Sequence, residues 1–289
     1  MIDRLHAFMV LARERHFGRA AEALGITQPS LSSALKSLED QLGVQLVRRG
    51  SRFHGLTPEG ERVLDWARRI VGDVRTMQAE LRATRSGVSG RLRLGVIPTA
   101  MPRIAELTAP FLSRHPSAQV TILSRSSDEI RDQIAALELD AGVTYLDGEH
   151  LGRLRTVPLF LETLCLVDRT DDSGPVSWTE AATRPLCLLT PDMQNRRIVS
   201  ARLAEADAPA VPRVESNSML AILSHVTTGD WAAILPQALA DGLPLPAGVR
   251  ARPLSDGPGN RVGLVLAERE PLSPLVEALM QVARQSFNR

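Results

Sequence analysis

Over the first forty residues the apolar positions recur at helical spacing. Leu5, Phe8, Met9 and Ala12 share one face of a helix at about 3–13, and Ala20, Ala21 and Leu24 line the inner face of a second at about 18–24. The small alanines let a neighbouring helix come close. Gly25-Ile26 reads as a tight turn, with the glycine left-handed at no steric cost. Thr27 then serves as an N-cap with Pro29 in the first turn, which predicts a third helix at about 28–41. Its buried stripe is Leu31, Leu35 and Leu38. Gln28, Ser30, Ser32, Ser33, Lys36 and Ser37 are left for the opposite face. Gly43 ends this helix, Val44, Leu46 and Val47 predict a short wing strand, and Phe53 and Leu56 anchor the turn that follows.

A long helix is predicted from Pro58, with Thr57 as its cap. Val63, Ala67, Ile70, Val74, Met77 and Leu81 are spaced four, three, four, three and four, a heptad seam over almost three repeats. A single helix of this kind exposes its stripe. A second copy of the chain would bury it; packing against its own chain is the alternative. Residues 86–90, Ser-Gly-Val-Ser-Gly, predict a hinge. The period then changes to that of a strand at 91–96. A helix at about 103–114, a strand at 119–123, a helix capped by Ser127 and Asp128 with Ile130, Ile134 and Leu137 inside, and a strand at 140–144 make a β-α-β-α-β succession with mostly parallel strands. A like succession returns. Strands are expected at 186–189, 213–215 and 231–235, helices at 198–206 and 218–228, and a short helix from Pro236. A strand at 262–267 and a helix at 272–287 close the chain. Two α/β lobes joined by crossings near 163 and 265 would enclose a cleft.

Charge adds a sign to this outline. The net charge of +1 over 289 residues favours no partner, but residues 1–90 hold 14 basic and 10 acidic side chains and the remainder 20 and 23. A mildly basic head on a mildly acidic body suits nucleic acid. The polar, acid-poor face of the third helix suits a major groove, with Ser32, Ser33 and Lys36 leading. Arg48, Arg49, Arg52 and the partly charged His54 cluster where phosphates would lie. An ordinary solvated surface is the alternative for each helix residue. Cys165 and Cys187 sit inside apolar runs and are expected as buried thiols, a redox switch being the alternative. His6, His16, His54, His115, His150 and His225 show no metal-ligand spacing, so no metal, cofactor or catalytic residue is predicted. Asp3 and Arg4 near the start do not suit a signal peptide, and no run reaches membrane-spanning length; a soluble cytoplasmic protein without a membrane partner is expected.

The chain resembles the LysR-type transcriptional regulators. In the head the resemblance rests on Phe17, Ala20-Ala21, Leu24, Thr27-Gln28-Pro29-Ser30-Leu31-Ser32, Leu38-Glu39, Leu42-Gly43, Leu46, Arg48 and Leu56-Thr57-Pro58-Glu59-Gly60, in order and at family spacing. Val47 stands where the family often has phenylalanine, and 49–55 replaces a more arginine-rich wing. Further on, Ile97-Pro98-Thr99-Ala100, Asp140-Ala141-Gly142-Val143, Gly229 and Ile234-Leu235-Pro236 are similar to the family's effector-binding domain, with Asp230-Trp231 interrupting a usual glycine pair. The resemblance implies an N-terminal winged helix-turn-helix at 1–57, a dimerisation linker helix and hinge at 58–89, and a two-lobed effector domain like periplasmic solute-binding proteins at 90–289. Lobe I would be 90–163 plus 265–289 and lobe II 164–264. It further implies a homodimer or a homotetramer of paired dimers on double-stranded operator DNA, answering to a small-molecule effector, and it leaves contact with RNA polymerase open.

The effector is expected at the carboxyl edge of the first strand, a polar or anionic metabolite on Pro98, Thr99, Ala100 and Met101, with Thr144 nearby. Gln194, Asn195, Asn217 and Ser218 would approach from the second lobe; simple helix capping is the alternative for these polar residues. An enzyme, an exported solute-binding protein and an architectural DNA protein are the rival classes. The first lacks a phosphate loop or metal motif, the second is at odds with the head, and the third leaves the two-lobed body unexplained. Replacing Arg48 or Arg52 by alanine should weaken binding to every DNA sequence and flatten the dependence of affinity on salt; an unchanged salt slope would remove the phosphate assignment.

Overall fold

The computed structural model describes residues 1–48, 53–147, 151–152, 154–242, 245–255 and 259–287. It divides into two compact units. One is Met1–Gly87 with 135–138 and 269–274; the other is the remainder. No helix among the described residues is long and apolar enough to cross a membrane.

The first unit is built on helices α1 (Ile2–Glu14), α2 (Phe17–Leu24), α3 (Gln28–Leu42) and α4 (Pro58–Ser86). Its core joins Leu5, Phe8 and Leu11 of α1, Ala20 and Ala21 of α2, and Leu31, Leu35 and Leu38 of α3. The helix boundaries follow local chemistry. Gly25 and Gly43 are left-handed and end α2 and α3. Thr27 and Thr57 accept the amide protons of Ser30 and Gly60, at 3.3 and 2.9 Å, and start α3 and α4. The expected wing strand is a single antiparallel bridge, Val47 with Leu56, rather than a run of paired residues. Side-chain bonds do the work of a longer ladder: Glu39 Oε1 accepts the amides of Leu46 at 2.7 Å and Val47 at 3.3 Å, fastening the wing to α3. Gly60 is required where α4 starts, since a Cβ there would lie 2.1 Å from the Leu46 carbonyl oxygen.

The heptad stripe on α4 is split. Ala67 is fully buried and Val63 partly buried in the unit's own core, where Leu64 and Val71 join them. Ile70, Met77 and Leu81 are 39%, 52% and 61% exposed, Val74 is half-buried, and Trp66 adds a further exposed apolar side chain at 61%. The early turns of α4 bury their apolar arc against the head; the later turns leave theirs in solvent.

The second unit holds strands β1 (Gly90–Val96), β2 (Ala118–Ser124), β3 (Ala141–Tyr145), β4 (Leu154–Glu162), β5 (Leu164–Arg169), β6 (Leu186–Leu189), β7 (Val214–Ser216), β8 (Ala232–Pro236), β9 (Val249–Pro253) and β10 (Asn260–Ala267). Helices α5 (Ile104–Arg114), α6 (Ser127–Ala135), α7 (Trp178–Ala182), α8 (Gln194–Glu205), α9 (Met219–Thr228), α10 (Gln237–Asp241) and α11 (Pro274–Phe287) complete it, with a 3-10 turn at Pro98–Arg103. One sheet runs β2-β1-β3-β10-β4 and the other β7-β6-β8-β5-β9. Each is mixed rather than mostly parallel. The strands that carry the chain between lobes, β4 with β10 and β5 with β9, enter antiparallel. The first crossing falls at Thr163. The second lies between Pro253 and Asn260, not near 265, because all of β10 belongs to the first sheet.

Three further expectations shift. α8 begins at Gln194, four residues early. α6 ends at Ala135, so Leu137 lies beyond it, with φ +60. The α6 start is a capping box of Ser126 and Glu129, which bond each other's backbone amides at 3.2 and 2.8 Å, rather than a cap on Ser127 or Asp128. Gly95 and Gly142 are paired in register, and a Cβ on Gly142 would lie 2.2 Å from Ile130, so the glycines let α6 sit close on the sheet. Trp231 packs on the second-lobe core and meets the His225 ring edge-on at 6.2 Å.

Glu39→Ala should lower unfolding stability by about 1–3 kcal/mol, because it strands two part-buried amides, while Glu39→Gln keeps an acceptor and should cost less. Denaturant unfolding of both variants checks this; equal losses would show that the carboxylate bonds contribute little.

Candidate functional site

Two surfaces carry polar chemistry. On the first unit, Gln28, Pro29, Ser30, Ser32, Ser33 and Lys36 are all exposed along α3, opposite its leucine stripe. Ser30 is partly committed, its hydroxyl 2.8 Å from that of Thr27. Arg48 is exposed, and its Nε donates to the Leu56 carbonyl at 3.1 Å, which orients the guanidinium beside the bridge. Arg49 and Arg52 lie outside the described residues.

The other surface is a cavity between the two lobes of the second unit. From the first lobe it is lined by Ile97, Pro98, Thr99, Ser126, Ser127 and Tyr145, and from the second by Leu189, Met193, Gln194 and Asn195. None of these side chains carries a formal charge. The enclosed space is about that of one water molecule. Of the residues expected from sequence, Pro98, Thr99, Gln194 and Asn195 are brought together here. Ala100, Met101, Thr144, Asn217 and Ser218 are not among the lining residues. The Ala100 amide is already bonded to the Ile97 carbonyl at 3.0 Å. The Thr144 hydroxyl donates to Ser127 Oγ at 2.9 Å. Ser218 caps α9, and Asn217 is exposed.

Sequence reasoning missed the centre of this site. Tyr145 is fully buried at the end of β3, one residue beyond Thr144. Its phenol donates to Glu162 Oε1 in a short hydrogen bond, receives Asn195 Nδ2 at 3.2 Å, and lies 3.0 Å from Thr99 Oγ1. Glu162 closes β4 immediately before the first crossing and is 4% exposed. The four side chains therefore form one buried network, three from the first lobe and Asn195 from the second. Arg197 of α8 adds a second link across the lobes, 3.8 Å from Asp128 of α6. It also donates to Gln194 Oε1 at 2.5 Å. The one available signal was that Tyr145 is the only tyrosine in the chain and stands at a strand's carboxyl end.

Burial sets the electrostatics. It pushes the Glu162 carboxyl up to about 7, against the hydrogen bond from Tyr145 and the nearby donors Thr99 and Asn195, which favour the charged form. Burial, with the neighbouring Glu162, also raises the Tyr145 phenol well above its ordinary value. Cys165 and Cys187 are buried in β5 and β6. Burial pushes the Cys165 thiol up to about 12 and raises that of Cys187. Among the described residues no group of three or more His, Cys, Asp or Glu side chains could hold a metal ion.

The raised Glu162 carboxyl has a thermodynamic signature. Between pH 4.5 and about 7 the unfolded chain has released this proton and the folded chain still holds it, so its contribution to stability falls as pH rises. Glu162→Gln should gain on the parent protein by about 3 kcal/mol across that window and stay level above it. A stability difference that does not vary with pH in chemical denaturation would mean Glu162 ionises freely.

Comparison with known proteins places both surfaces in one family. Residues 2–61 match the family described as "Bacterial regulatory helix-turn-helix protein, lysR family", and residues 85–288 match "LysR substrate binding domain". A probable hydrogen peroxide-inducible genes activator of Mycobacterium xenopi is 36% identical over 163 residues, 56% of this chain and 86% of that protein. The DNA-binding transcriptional dual regulator OxyR of Escherichia coli (strain K12) is 27% identical over 289 residues, covering 98% of this chain and 94% of that one. A solved full-length OxyR variant from Pseudomonas aeruginosa has a TM-score of 0.75 at 26% identity, covering 98% of this chain and 94% of that one. With a regulatory helix-turn-helix at its start and a substrate-binding domain over the rest, the chain belongs to the LysR family of DNA-binding transcriptional regulators.

Proposed function

We propose that this regulator binds its operator as a homodimer and alters its DNA contacts or bending when a small polar metabolite, neutral or anionic, is held between the two lobes. The observation that carries the reading is the cavity, an uncharged polar pocket joined across the lobes by the Tyr145 network. The head would read the major groove with Ser32, Ser33 and Lys36 and hold phosphates with Arg48, Arg49 and Arg52. Dimerisation would use the outer part of the α4 stripe, Ile70, Val74, Met77 and Leu81, with Val63 and Ala67 supporting it from inside the head. Burying each large exposed side chain of that stripe stabilises by about 1.5–3 kcal/mol. Pairing of such dimers into a tetramer and contact with RNA polymerase rest on the family alone.

Several relatives are named as hydrogen peroxide-inducible activators. Thiol-based peroxide sensing needs an accessible, low-pKa cysteine. The two cysteines here are in strand cores with raised thiols, and neither lines the cavity. The reading is therefore a reversible, non-covalent effector. A metabolite larger than water requires the lobes to part at the two crossings.

A thermal-shift screen of small acids, oxyanions and neutral polar compounds, followed by operator footprinting with each hit, tests the whole reading. A true effector should stabilise the protein and change the footprint. Thr99→Val should weaken both responses while leaving effector-free operator binding intact, and Ile70→Asp with Met77→Asp should convert the sedimenting dimer to monomer and reduce operator affinity. Retained ligand affinity and footprint change in Thr99→Val would remove the cavity as the effector site. An unchanged sedimentation coefficient would remove the α4 interface.

A further inference from the structure

The hydrogen count in the buried network fixes how the cavity presents itself to a ligand. A phenol has one proton to give and can accept two. Tyr145 has three partners among the described residues, and Asn195 Nδ2 can only donate to it. The phenol proton therefore goes to either Glu162 or Thr99, and the other must supply one; geometry allows either direction between Thr99 and Tyr145. With Glu162 ionised, the carboxylate can only accept. Tyr145 then donates to Glu162, Thr99 donates to Tyr145, and Thr99 turns lone pairs toward the cavity it lines. With a proton on Glu162 Oε1, the order reverses. Glu162 donates to Tyr145, Tyr145 donates to Thr99, and the Thr99 proton is released toward the cavity. Both states saturate the phenol and differ by one proton.

We propose that Glu162 is a specificity-determining residue of the lobe cavity, whose charge state sets whether Thr99 meets the ligand as hydrogen-bond acceptor or donor. The ionised protein then takes a ligand with an ammonium or hydroxyl donor at Thr99, and binding of a carboxylate or oxyanion there takes up one proton. The proposal rests on the reading of the cavity as the effector site. The groups facing Glu162 are Thr99 from the 3-10 turn, Tyr145 from β3 and Asn195 from α8, with neutral Asn260 as its partner on β10. Charged residues on those elements are engaged elsewhere: Arg103 with Glu106, Arg196 with Glu215, Arg197 with Asp128, Arg202 with Glu205, and Arg261 with Asp147. The second carboxyl oxygen, Oε2, is buried without a hydrogen-bond partner among the described residues, which leaves Oε1 as the oxygen linked to the network. Burial holds the carboxyl near 7, so both states are populated at neutral pH.

Because Tyr145 is the only tyrosine, full-length protein labelled with carbon-13 at the tyrosine Cζ gives a single resonance that reports the relay directly. In ligand-free protein this resonance should titrate with a midpoint near neutrality, and Glu162→Gln should abolish the titration. Formate and methylammonium then serve as anionic and cationic probes. Formate affinity should fall about tenfold per pH unit above the midpoint, with one proton taken up in calorimetry across two buffers. Methylammonium should show the opposite preference, and Glu162→Gln should remove both dependences. A flat titration in the parent protein overturns the relay. A clear titration with pH-independent affinity for both probes overturns its control of ligand sense. A clear titration that neither probe perturbs, with no heat of binding, removes the cavity as a ligand site and the proposal with it, while the relay itself stands.

Discussion

Polar groups shut between two lobes must satisfy one another, because water can no longer do so. In the second unit this requirement falls on two strand ends and a 3-10 turn of the first lobe and on a helix start of the second. β4 delivers a carboxyl just before the chain leaves the first lobe, β3 delivers a phenol, and α8 answers from the second lobe with an amide. The cavity exists because these groups hold each other in place around a small remaining space. Its walls are uncharged, and the one carboxyl of the network stands behind them.

The first unit solves a different problem with one helix. α4 completes the head's core through Leu64, Ala67 and Val71 and leaves Ile70, Met77 and Leu81 in solvent. The close approach of Gly60 to Leu46 fixes its beginning against the wing. One helix thus has a start fixed in the head and a later apolar stripe that the described residues leave uncovered.

Local signals were legible in the sequence. The stripe Leu31, Leu35 and Leu38, the caps Thr27 and Thr57, and the glycine turns at 25 and 43 all depend on neighbours a few residues away. Thr99, Gln194 and Asn195 were placed by strand ends and helix starts, rules that are also short-range. Glu162 and Tyr145 were missed because their meaning lies in contacts across 17 to 50 residues of chain. Neither carries a local pattern. β4 was hidden by Pro158 and by its polar edge positions. The division of the heptad stripe was invisible because spacing reports that residues share a face, not which partner covers each turn. The second crossing was misplaced for a related reason: a strand buried along nearly its whole length, such as β10, does not announce to which sheet it belongs.

The cavity's size has a kinetic consequence. A space that holds about one water admits no metabolite by simple diffusion into a preformed site. For any larger ligand, association must await an open arrangement of the lobes, and the observed rate would level off at the opening rate as ligand concentration rises. The time to fill the site would then be a property of the protein itself. For such a ligand, abundance would set how completely the cavity fills, and the opening of the lobes would set how soon.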